Sequence, residues 1–138
     1  MSILITGRNH IASLLVTTGS SGIAQDTRPA YNSSGAYMVV GVSTCAEDTA
    51  STWLFGASSG AMHAMDATFP TIATNVLTFK ATYTTSQACY AWNEWMLTNG
   101  TASGQSQDPL NRKLESPSLG TKTCSQSWAF TATLTITT

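Results

Sequence analysis

FKATYTTSQACYAWNEWML, residues 79–97, is the stretch whose reading decides the fold. It opens on a clean alternation. Leu77, Phe79, Ala81 and Tyr83 point one way, and Thr78, Lys80, Thr82 and Thr84 the other, which is the period of a half-buried β-strand. A polar step, Thr85-Ser86-Gln87, leads into a second run over 88–97 that is apolar on both faces. As an extended strand this run puts Tyr90, Trp92 and Met96 with Glu94 on one side. Cys89, Ala91, Trp95 and Leu97 then share the other side with Asn93. A strand of that kind is covered twice, by a second sheet or by another subunit.

Working outward, the spacing predicts a short helix over 9–16, with Asn9 as N-cap and Ile11, Leu14 and Leu15 at helical intervals. Residues 23–35 are turn-rich, and YMVVGV (37–42) reads as a buried strand. A loop over 43–51 follows, carrying Glu47-Asp48, and Trp53-Leu54-Phe55 is a compact apolar anchor. The segment 57–66 is rich in small residues, and 71–84 is expected to run as one long strand after a turn at Pro70. TNGTASGQSQDP (98–109) reads as an exposed loop, and LNRKL (110–114) restarts a strand. The chain ends on a Thr-alternating strand with Trp128, Phe130, Ala132, Leu134 and Ile136 inward. The pattern is that of a single domain over 1–138, mainly β: a jelly-roll-like antiparallel β-sandwich with one short N-terminal helix.

Composition agrees. Charged residues are 9% of the 138, against an ordinary share of about 25%. A net charge of −1 gives no electrostatic footprint for nucleic acid or for an anionic membrane. The first residues lack the charged n-region of a signal peptide and the length of a membrane span, so synthesis and folding in a reducing cytoplasm are expected. Cys45, Cys89 and Cys124 lack the spacing of a zinc or redox motif and read as small buried hydrophobes in strands.

Chemistry is sparse. His63 has no second ligand at metal spacing, and no nucleophile elbow or phosphate-binding glycine loop is present. Neither a metal nor a cofactor is expected. Glu94, flanked by Trp92 and Trp95, is the carboxylate set among apolar neighbours. A hydrolase reading would pair it with Asp108 or Glu115 as second carboxylate. The structural reading is a buried ion pair with Arg112 or Lys113 across neighbouring strands. Trp53, Tyr90, Trp92 and Trp95 are the expected core or interface anchors.

Phe79-Lys80-Ala81-Thr82-Tyr83-Thr84, Ala91-Trp92-Asn93-Glu94-Trp95, Leu110-Asn111-Arg112-Lys113 and Leu119-Gly120-Thr121-Lys122-Thr123 occur in this order, before the Trp128-led strand. This order resembles small structural proteins of tailed bacteriophages and covers roughly the last sixty residues. The resemblance implies a virion protein without catalytic residues, made in the bacterial cytoplasm. Its implied role is a capsid decoration (cement) protein on the major capsid protein, as a homotrimer on a symmetry axis. A tail adaptor or fibre component, seated on tail or portal-vertex proteins, is the alternative. A cell-wall or capsule hydrolase acting through Glu94 is the remote one.

Overall fold

A computed structural model describes residues 2–3, 31–46, 48–50, 54, 56–57, 61–99 and 109–135. The expected N-terminal helix over 9–16 lies outside the described residues, and so do Trp53, Asp108 and Ile136. Among the described residues there are eight strands: β1 Ser2–Ile3, β2 Ala36–Gly41, β3 Met62–Ala64, β4 Thr71–Ala73, β5 Val76–Tyr83, β6 Glu94–Asn99, β7 Pro109–Leu114 and β8 Trp128–Thr135. They form two antiparallel sheets, one ordered β1-β7-β6-β2-β3 and the other β4-β5-β8. The described part is mainly β and contains no helix.

The alternating strands fold as their period dictates. Phe79, Ala81 and Tyr83 of β5 are buried, while Thr78, Lys80 and Thr82 between them are partly exposed. In β8, Ala132 is buried and Trp128, Phe130 and Leu134 are half-buried, with Ala129, Thr131, Thr133 and Thr135 outward. The two strands pair from Val76↔Thr135 to Tyr83↔Trp128, so their apolar sides coincide. Met38 and Val40 of β2, Trp95 and Leu97 of β6 and Leu110 of β7 meet these residues in one core drawn from both sheets.

Three expected boundaries are corrected. The strand over 71–84 is a hairpin: Ala73 pairs with Val76, and Thr74-Asn75 forms the turn with Thr74 at φ 56°. Part of the 57–66 segment is a strand, β3, held against β2 with His63 opposite Met38. Thr98 and Asn99, expected in a loop, are fully buried at the end of β6, and Pro109 opens β7.

The largest departure lies in the central stretch itself. Ala88 takes φ 48°, a left-handed conformation that a strand does not accommodate, and the strand of the larger sheet begins only at Glu94. Residues 90–93 instead lie beside 119–122. Trp92 N–H donates to the Gly120 carbonyl at 2.9 Å, Leu119 N–H to Trp92 at 2.9 Å, and Lys122 N–H to Tyr90 at 3.1 Å. Trp92 therefore turns inward, onto the side of Trp95 rather than that of Met96. It meets Tyr83 at 4.9 Å and Trp128 at 5.1 Å between ring centroids, both edge to face. Gly120 serves this packing with φ 127°, and a Cβ there would sit 3.0 Å from the Trp128 ring.

The cysteine reading is overturned by the same juxtaposition. Cys89 and Cys124 form a disulfide with their Cα atoms 5.1 Å apart; neither lies in a strand, and Cys45 is exposed. The bridge spans a sequence separation of 35, which corresponds to about 3–4 kcal/mol of denatured-state entropy. Replacing Cys89 and Cys124 by Ser together should lower the urea-unfolding free energy by about that amount, with far-UV circular dichroism unchanged at zero denaturant.

Candidate functional site

β6 is buried along its whole length, and two different covers achieve this. Trp95 and Leu97 face the second sheet. Met96 faces the other way, onto Val39, Leu54 and Ala61, and these residues close the outer side. Glu94 shares that outer side with Met96. Arg112 lies opposite Met96 on β7, which makes Glu94 and Arg112 diagonal neighbours on one face.

Their side chains are both 0% exposed. Glu94 Oε2 accepts from Arg112 Nε at 2.8 Å and Nη2 at 2.7 Å, and Oε1 accepts from Gly56 N–H at 2.7 Å. Arg112 also donates through Nη1 to the Ala46 carbonyl and through Nη2 to the Cys45 carbonyl, each at 2.9 Å. A charge removed from water is tolerable only with its partner and its remaining hydrogen bonds in place, and here the loop after β2 supplies them. Gly41 is required beside it, since a Cβ there would lie 2.6 Å from Glu94 Oε1.

The structure distributes the other expected residues as follows. Lys113 does not join Glu94; it pairs with Glu115 at 2.8 Å, on the opposite face of β7. Glu115 Oε1 also accepts from Trp95 Nε1 at 2.8 Å, so it anchors that ring. Trp92 Nε1 donates to the Ala88 carbonyl at 3.0 Å, bracing the kink that turned its ring inward. Tyr90 OH donates to Val40 at 3.0 Å, and its ring touches both apolar clusters. His63 Nδ1 lies 3.2 Å from the Ala64 carbonyl and its ring stacks obliquely on Tyr83. Among the described residues no group of three His, Cys, Asp or Glu could hold a metal ion.

Lys122 and Tyr83 are among the buried polar groups that the sequence does not single out. Lys122 is 1% exposed and donates from Nζ to the Thr84 carbonyl at 2.7 Å, closing the turn after β5. Tyr83 OH donates to the Met38 carbonyl at 2.8 Å between the sheets, and burial pushes its phenol well above the usual value.

At the start of β8 a shallow groove of about 400 Å³ opens to solvent, floored by Trp92 and lined by Leu119, Ser127, Trp128, Ala129 and Phe130. It is aromatic and uncharged, suited to apolar contact rather than proton transfer. Comparison with known protein families, with curated proteins and with solved structures returns no match.

Two substitutions measure these arrangements. Arg112→Met strands the Glu94 carboxylate and should cost about 3–5 kcal/mol in urea unfolding, with much of that recovered when Glu94→Gln is added. Trp92→Ala removes a ring packed on three aromatic neighbours, and a loss of about 3–5 kcal/mol is expected by the same measurement.

Proposed function

We propose that this protein is a structural component of a tailed-bacteriophage virion: a decoration, or cement, protein bound to the outer surface of the major capsid lattice. On this reading the two sheets stack as a jelly-roll-like β-sandwich. The chain crosses between sheets at β3 to β4, β5 to β6 and β7 to β8, and one core takes side chains from both, which supports that packing.

The observation that carries the functional reading is where the few charges go. Glu94, Arg112 and Lys122 are buried, Asp66 lies 3.7 Å from Lys80, and Lys113 pairs with Glu115. Among the described charged residues all but the exposed Asp48 are buried or paired within the molecule, while Thr, Ser and Ala dominate the outward positions of β8 and the turns before it. Such a surface binds a large protein lattice through apolar and main-chain contacts, and that attachment is insensitive to salt. The resemblance in the last sixty residues points to the same class.

The Glu94 carboxylate has both oxygens engaged, which favours bracing over the hydrolytic role. Attachment through the tail, as an adaptor or fibre component, makes a different demand on copy number. A high-resolution reconstruction of the virion tests the assignment: copies spread over the head lattice are expected. A few copies at the unique vertex or along the tail would replace this reading with the adaptor, and a virion without the protein would overturn both. On purified heads, binding should change less than about twofold between low and physiological salt.

A further inference from the structure

The three-stranded sheet has two free edges among the described residues, β4 on one side and β8 on the other. They are complementary. Ile72, at the centre of β4, is 74% exposed, the most exposed large hydrophobic side chain among the described residues. The aromatic groove lies on the opposite edge, at the start of β8. Both belong to one face of the sheet: Ile72 pairs with Leu77 and Leu77 with Leu134, and Leu134 shares its side of β8 with Trp128 and Phe130.

We propose that a second copy of this chain docks head to tail here. Its β4 continues the sheet along the outer edge of β8, and its Ile72 enters the groove over Trp92. β4 and β8 run in the same direction within one sheet, so an incoming β4 added parallel to β8 keeps the face and delivers its Ile72 to the side on which Trp128 and Phe130 lie. Along its eight residues the outer edge of β8 has no strand partner among the described residues, and it carries neither a charge nor a proline, the features that ordinarily prevent such pairing. β4 brings Thr71, Ile72 and Ala73, also uncharged, so the two edges meet without repulsion.

Knob and groove are different surfaces of one protomer, so the contact is heterologous and each copy uses both ends. Closure after three copies gives the homotrimer, and only that closure rests on the virion reading; the contact itself does not. Each contact is small, so assembly should depend on protein concentration, with ring closure adding the second contact of each chain.

Sedimentation velocity of the full chain, without phage components, separates the possibilities. Wild type should assemble as concentration rises. Ile72→Lys removes the knob and Leu119→Lys blocks the groove. Each alone should remain monomeric, with self-association weakened at least about tenfold, and circular dichroism should be unchanged because both side chains are exposed. Mixing the two variants should give a one-to-one heterodimer and nothing larger, since one intact knob then meets one intact groove. Three results would overturn the proposal: a wild type that stays monomeric, an Ile72→Lys chain that still assembles, or a mixture that stays monomeric. Failure here leaves the head assignment to be decided by the reconstruction alone.

Discussion

Two opposite charges sealed from water set the terms for much of this molecule. Glu94 and Arg112 have no solvent to fall back on, so every remaining lone pair and N–H must find a partner inside. The partners are main-chain groups of Cys45, Ala46 and Gly56, which ties these three residues to the outer face of the larger sheet. Leu54, two residues before Gly56, packs on Val39 and Met96. A polar requirement thus positions an apolar cover, and the cover allows β6 to be buried on both sides.

The opposite side of β6 is organised by aromatic rings rather than by charge. Trp92, Trp95, Tyr83, Trp128 and Phe130 touch edge to face in a continuous series that joins the two sheets. Polar handles fix the angles: Trp95 holds Glu115, Trp92 holds the Ala88 carbonyl, and Tyr83 holds Met38. The kink at Ala88 is what makes the series possible, because an extended chain would have sent Trp92 to the other face. Local backbone strain is compensated by packing two to four residues further on.

What the sequence disclosed follows from which forces are local. β5 and β8 were legible because a period of two sustained over eight residues fits a strand and little else, and their side-chain directions came with it. The pairing of Glu94 with a basic residue of 110–114 was legible in kind. The choice of Arg112 over Lys113 depends on strand register, which no single strand encodes. Thr74-Asn75 was hidden by β-branched neighbours that prolong the apparent strand, although Asn at that place is a turn signal. Lys122 lies among Thr121, Thr123 and Cys124, a polar context that reads as surface; only the close approach of 84–85 makes it interior. The disulfide is of the same kind, since its two cysteines lie in separate loops 35 residues apart and are neighbours only in the folded chain.

That disulfide joins a partly exposed sulfur to an exposed residue, so the medium can reach it. Thiol-rich compartments keep such pairs open, whereas oxidising surroundings close them. Opening or closing that one bond would therefore give the same polypeptide two grades of durability, separated by a single reversible covalent step. Passage from a reducing interior to an oxidising exterior would harden each molecule where it stands, after whatever partner it has already found.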